Sequence, residues 1–247
     1  MTIEPSLFRD ELIRVFSENG LGPLLTGERA EVLTAFAVRL VETNEKFNLT
    51  AIKTPDEIIL KHFADSAALI SRLPETGTVL DVGCGAGFPS VVLAILCPAL
   101  SVTALDATEK KVGFVRDAAA SLGLLNLTAV AGRAEALAAP DSPYRESFDV
   151  VTARAVAALP TLAELCLPFV SVGGVFLAMK GQAAEREAEE ASRAIPMLGG
   201  KLREIRTDVL SDGGAEPIRH AVLIVDKIRK TPAEYPRSYA RMLKKPL

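Results

Sequence analysis

The sequence predicts a doubly wound α/β fold: a Rossmann-like, mostly parallel seven-stranded sheet with helices on both faces, preceded by a helical extension. Three observations predict it. Short apolar runs alternate with helix-length segments from residue 71 onward, the pattern of βαβ units. A glycine-rich turn follows the first of these runs. Residues 1–70, by contrast, repeat apolar side chains at helical spacing. The expected division is therefore an N-terminal helical extension over 1–70 and a ligand-binding domain over 71–247 that ends in a basic tail.

In chain order, Pro5 to Glu18 carries Leu7, Leu12, Val15 and Phe16 on one helical stripe, and Glu28 to Phe47 carries Val32, Leu33, Phe36, Leu40 and Val41. Thr54-Pro55-Asp56-Glu57 reads as an N-cap, a proline at the first helical position and acids in the first turn, opening a helix that runs to about Ile70. Strands are expected at Thr78–Val82, Ser101–Asp106, Asn126–Ala131, Phe148–Thr152 and Val175–Met179, with room for a helix between each pair. A charged helix near Ala183–Leu198 follows. Lys201–Val209 and Arg219–Lys227, joined by Asp212-Gly213-Gly214, then read as an antiparallel hairpin at the edge of the sheet.

Composition bounds the class. Of 247 residues, 49% are hydrophobic, 24% charged and 5% aromatic, with a formal net charge of −3; these values exclude disordered, collagenous and membrane-spanning chains. No apolar run reaches the ~18 residues of a membrane helix, and the acidic first 20 residues (Glu4, Asp10, Glu11, Glu18) lack a secretory signal. Cys84, Cys97 and Cys166 fit neither a disulfide framework nor a zinc spacing, so a cytoplasmic setting and no metal are expected. Charge is uneven: Arg219 to Leu247 carries net +6 against an acidic body. That tail is either a site for a polyanion or a solvated end.

The first strand runs into Asp81-Val82-Gly83-Cys84-Gly85-Ala86-Gly87-Phe88-Pro89. Glycines there let the backbone turn tightly and approach a ligand closely. A dinucleotide fingerprint needs a small residue where Phe88 stands, so the nicotinamide reading fails. D-x-G-x-G-x-G is instead the pattern of S-adenosylmethionine-dependent methyltransferases. Asp106, ending the second strand, is placed to accept hydrogen bonds from both ribose hydroxyls of a nucleoside cofactor, or else to cap the helix expected over Thr108–Leu122.

Further stretches carry a closer resemblance: Asn48-Leu49-Thr50-Ala51-Ile52, His62-Phe63-Ala64-Asp65-Ser66, Thr152-Ala153-Arg154-Ala155, Met179-Lys180-Gly181, and Tyr235-Pro236-Arg237 through Lys245-Pro246-Leu247. From about Phe47 to Leu247 the chain resembles the RsmG (GidB) family of bacterial small-subunit ribosomal RNA methyltransferases. It departs at Phe63-Ala64, Ala67 and Ser90, and Pro140–Glu146 looks like an added loop. The resemblance implies a class I methyltransferase domain that binds S-adenosylmethionine through the turn of Gly83, Gly85, Gly87 and Phe88, through Asp106, Ala107 and Thr108, through Ala134 and Glu135 beside the adenine, and through Arg154. It further implies methylation of N7 of one guanine in 16S ribosomal RNA, within the small subunit or an assembly intermediate. A monomer is expected.

That chemistry needs no catalytic side chain, because guanine N7 is already a lone-pair acceptor and orientation alone can supply ~7–11 kcal/mol. Neither Pro-Cys nor Pro-Pro, marks of other acceptor chemistries, occurs. The three cysteines read as packing residues. Arg154 has three readings: a partner for the methionine carboxylate, a partner for RNA phosphate, or a surface ion pair. His62 and Asp65, three apart, either line the RNA side of the pocket or brace the N-terminal helices; His220 reads as structural. Lys180, Arg237, Arg241, Lys244 and Lys245 are candidate phosphate contacts. A methyltransferase for a protein or small molecule, and a non-catalytic ribosome-binding module, remain the alternatives.

Overall fold

Seven strands make one sheet in the order β3-β2-β1-β4-β5-β7-β6 in a computed structural model that describes residues 3–154, 156–214 and 217–247. Ala155, the last residue of the Thr152–Ala155 stretch, lies outside the described residues. The strands are β1 Gly77–Val82, β2 Leu100–Asp106, β3 Leu127–Ala131, β4 Phe148–Arg154, β5 Val170–Lys180, β6 Gly200–Leu210 and β7 Ile218–Lys227. The first five are parallel, and β7 runs antiparallel between β5 and β6. All seven expected strands are present. β5 starts earlier than expected because Val170 already pairs with Phe148 ahead of a register shift.

Central strands of a parallel sheet are covered on both faces, so they carry continuous apolar runs. In β1, Val79, Leu80, Asp81 and Val82 are all buried. One face is covered by the N-terminal helices α1 (Pro5–Glu18) and α2 (Gly27–Asn44), by α3 over 55–67, by α4 (Ser90–Leu96) and by α5 (Glu109–Ser121). Phe36, Phe63, Phe88 and Phe114 meet in that layer, their ring centroids 5.4–6.1 Å apart, and each buried ring contributes roughly 1.5–3 kcal/mol. The other face holds α6 (Ala134–Leu137), α7 (Leu159–Cys166), α8 (Ala184–Glu190), α9 (Ala194–Met197) and α10 (Tyr239–Lys244).

Local chemistry starts the helices where expected. Thr54 Oγ1 accepts from the Glu57 N–H, capping α3. That helix is not uniform, however: Ile58–Ala64 is wound as a π-helix, and regular winding ends at Ala67 rather than Ile70. The charged helix expected over Ala183–Leu198 is split into α8 and α9. The loop over 140–146 is fastened to the tail by Arg145, which donates to the carbonyls of Thr231, Pro232 and Tyr235.

Candidate functional site

β1, β2 and β4 end side by side, Val82 opposite Leu105 and Ala153, and in doubly wound sheets ligands bind outside such carboxyl ends. The chain leaves β1 through Gly83, Gly85 and Gly87, all at positive φ. The N–H groups of Gly83 and Cys84 both donate to Leu105 O, at 2.7 and 2.9 Å, which draws the turn over the end of β2. A Cβ on Gly83 would stand 2.5 Å from Val156 Cγ2, so only glycine fits that turn unstrained.

Asp106 organises the centre. Its Oδ2 accepts from Gly85 N–H at 3.0 Å and its Oδ1 from Thr108 N–H at 2.8 Å. It is not the helix cap: Thr108 holds that position in α5 and makes no side-chain capping bond. Asp106 instead ties the glycine turn to the segment after β2, and each carboxylate oxygen keeps capacity for another donor.

Beside it lies a cleft of about 590 Å³, its open mouth included, a size typical of small-molecule sites. Gly83, Asp106, Ala107, Ala134 and Glu135 line it, as do Val82, Leu105, Gly132, Arg133, Val156, Leu165 and Tyr239. A largely apolar slot with the Asp106 and Glu135 carboxylates in its lining fits a nucleoside, whose base needs flat apolar walls and whose ribose needs an acceptor. The sequence reading missed Tyr239, which carries the Arg133 guanidinium 4.9 Å from its ring centroid. It also missed Val156 and Leu165. The closing stretch from Tyr235 to Leu247 was a signal, but nothing local said that it folds back over the cleft.

Asp81 does not line the cleft. It is fully buried, accepts from Ser90 N–H at 3.2 Å, and its carboxyl is pushed up to about 6 by burial. It joins β1 to the start of α4. Phe88 is likewise in the core, only 3% exposed, with its ring stacked on His62 at 4.1 Å.

Arg154, at the end of β4, is held by α3. Nη1 donates to Lys61 O at 2.8 Å and Asp65 Oδ2 at 3.0 Å, and Nη2 donates to His62 Nδ1 at 2.9 Å. His62 and Asp65 therefore brace the extension against the sheet. Since an arginine cannot accept, His62 Nδ1 carries no proton and Nε2–H donates to Thr50 Oγ1 at 3.0 Å. Burial, then the neighbouring Arg154 charge, push the imidazole down to about 3. Asp65 also takes His220 Nδ1–H at 2.5 Å. Burial would raise this carboxyl, but its bonds to His220 and Arg154 outweigh that and hold it below the ordinary range.

Two candidate phosphate contacts need correction. Lys180 Nζ binds Glu187 Oε2 and Ala157 O, both at 2.7 Å, and its side chain is almost covered. Arg237 forks onto Glu164, whose side chain is fully buried. A cation committed to a buried carboxylate is not available to phosphate. Arg241, Lys244 and Lys245 are exposed. Cys84 and Cys166 are buried, and burial raises both thiols, so neither is a nucleophile. Cys97, expected in the core, is only half-buried at the end of α4. Among the described residues no helix is long and apolar enough to cross a membrane.

Residues 29–212 match the model of a family described as GidB, rRNA small subunit methyltransferase G. The chain is 44% identical to ribosomal RNA small subunit methyltransferase G of Limosilactobacillus reuteri (strain DSM 20016), over 92% of this chain and 94% of that protein. It is 43% identical to the protein of the same name from Desulfitobacterium hafniense (strain Y51), over 96% and 97%. Among solved structures it is similar in fold to M. jannaschii TYW2 in complex with AdoMet, with a TM-score of 0.53 and 15% identity over 67% of this chain and 75% of that one.

Proposed function

This chain belongs to the rRNA small subunit methyltransferase G family, and on that premise we propose that it methylates N7 of one guanine of 16S ribosomal RNA. The observation that carries the reading is the Asp106 carboxylate, anchored by Gly85 and Thr108 at the rim of an apolar slot.

S-adenosylmethionine supplies a methyl group on a positively charged sulfur. Asp106 takes the ribose hydroxyls, Ala134 and Glu135 flank the adenine, Ala107 and Thr108 shape the turn beside the ribose, and Gly83 leaves room for close approach of the backbone. Val82, Leu105, Val156 and Leu165 keep water from the slot. The acceptor needs no general base: N7 presents a lone pair without losing a proton. Its contribution is alignment, which can supply ~7–11 kcal/mol. The partner is the small subunit or an assembly intermediate, which exposes the base, and the enzyme acts as a monomer. Arg241, Lys244 and Lys245, exposed beside the Tyr239 wall of the cleft, contact RNA phosphates.

The test is transfer of labelled methyl from S-adenosylmethionine to small subunits purified from cells lacking the protein, with strand-scission mapping of N7-methylguanine. Label at one guanine is the expected result. Cofactor binding without incorporation into RNA would overturn it in favour of a protein or small-molecule acceptor.

A further inference from the structure

Three acceptors from one stretch of α3, Lys61 O, His62 Nδ1 and Asp65 Oδ2, converge on the Arg154 guanidinium from 89 to 93 residues away in sequence. Lys61 and His62 lie within the π-wound stretch Ile58–Ala64 and Asp65 follows it directly, and such winding is frequent at functional sites. A guanidinium has five N–H donors. Three are used here, leaving the Nε–H and one Nη2–H without a partner among the described residues, on a side chain that stays one-fifth exposed. Arg154 ends β4, beside the glycine turn, and its Cζ lies 5.6 Å from the Phe88 ring centroid of that turn. Behind the pair, Asp65 is fixed by His220, whose side chain is 1% exposed.

We infer that Asp65, backed by His220, is a positioning residue for methyl transfer: it sets the Arg154 guanidinium so that its two remaining donors bind an oxyanion of the reactants. The inference rests on Arg154 being part of the site. It makes the N-terminal extension a component of the active site, since the extension supplies three groups that aim an arginine of the sheet. Orientation of this kind is what a fork donor requires, because both N–H vectors must meet the same acceptor group. The oxyanion is either the carboxylate of the cofactor or a phosphate of the RNA.

The test is a double-mutant cycle of Asp65→Asn and Arg154→Ala in the full-length chain. Its readouts are kcat and KM for both S-adenosylmethionine and unmethylated small subunits, with melting temperature measured in parallel. Asp65→Asn keeps the side-chain shape and is expected to lower kcat/KM about 10- to 100-fold, by analogy with the loss of a partner that orients a metal-binding side chain. In an Arg154→Ala background it should cost nothing more. A change concentrated in KM for S-adenosylmethionine assigns the carboxylate, and one in KM for subunits assigns the phosphate. Losses that multiply, or an Asp65→Asn variant that melts lower yet transfers methyl at the normal rate, would overturn the inference. Unchanged transfer by Arg154→Ala would remove the premise about Arg154 itself, and the inference with it. If Asp65→Asn does not fold, His220→Leu, which has no donor for Asp65 and leaves the Asp65–Arg154 pair, runs the same cycle with the same expected non-additivity.

Discussion

Arg237 grips Glu164 with a two-pronged pair, Nε to Oε1 at 2.8 Å and Nη2 to Oε2 at 2.5 Å, and its backbone N–H donates to the same Oε1 at 2.8 Å. This clamp fastens the basic tail to α7, next to Leu165, and so brings Tyr239 over the cleft. Glu164→Ala leaves a guanidinium unpaired against the core and should destabilise the protein by about 3–5 kcal/mol. Denaturant unfolding checks it; a loss below about 1 kcal/mol would mean that the tail is held elsewhere.

Asp106→Ala removes an acceptor at the cleft and frees the Gly85 N–H. Affinity for S-adenosylmethionine should fall by about 1–3 kcal/mol as its charge-assisted hydrogen bonds disappear. Calorimetric titration of the folded variant measures it, and an unchanged dissociation constant would leave Asp106 as a fastener of the turn alone.

Gly83→Val should abolish cofactor binding. The backbone there has φ +77, and a Cβ would meet Val156 Cγ2 at 2.5 Å. The added side chain therefore pushes the cleft wall as well as straining the turn. Wild-type affinity in a folded Gly83→Val protein would refute the assignment of the turn.

Neutralising Arg241, Lys244 and Lys245 together should lower the salt dependence of RNA binding, by roughly 0.7–0.9 in the log–log slope for each phosphate that is no longer neutralised. Arg237→Gln should instead act on melting temperature, because its charge is committed to Glu164. An equal change of slope from Arg237→Gln would contradict the buried pairing.

The His62 imidazole sits at about 3, against an ordinary 6.5. Its folded form therefore binds a proton less readily than the unfolded form. The corresponding stability is fully present above pH 6.5 and is lost as pH falls toward 3. Asp81, pushed up to about 6 from 3.8, acts with the opposite sign between those values, so the comparison is made against His62→Gln, in which the Asp81 contribution cancels. The wild-type minus variant difference should grow with pH between 4 and 6 with a slope approaching about 1.4 kcal/mol per pH unit. A flat difference would show the ring to be protonated in the fold.

Much of this site was legible because its signals are local. The glycine turn and the acid ending β2 each belong to a strand end, and the sheet brings strand ends together without further instruction, whereas Ala134 and Glu135 carry no local signal and are expected only from the family resemblance. Asp106 left two readings open along the chain, ribose acceptor or helix cap. The fold removes the second, since the cap position falls on Thr108. His62 and Asp65 were a pair at helical spacing with two equal readings, and only Arg154 and His220, reaching them from β4 and β7, show that they brace the extension.

The sequence by itself determined the seven strands and the turn that opens the cleft, because strand periodicity and glycine spacing are properties of consecutive residues, and the family showed as a resemblance carried by further stretches such as His62-Phe63-Ala64-Asp65-Ser66 and Met179-Lys180-Gly181. The tertiary structure decided which charges are free. Lys180 and Arg237 look like phosphate contacts in the sequence, and only folding shows them bound to Glu187 and Glu164. The same holds for the Arg154 cluster, in which the bonded pair Asp65 and His220 lies 155 residues apart. A charged side chain shows its use by what neutralises it, and its partner is chosen by packing across the sheet rather than by proximity along the chain.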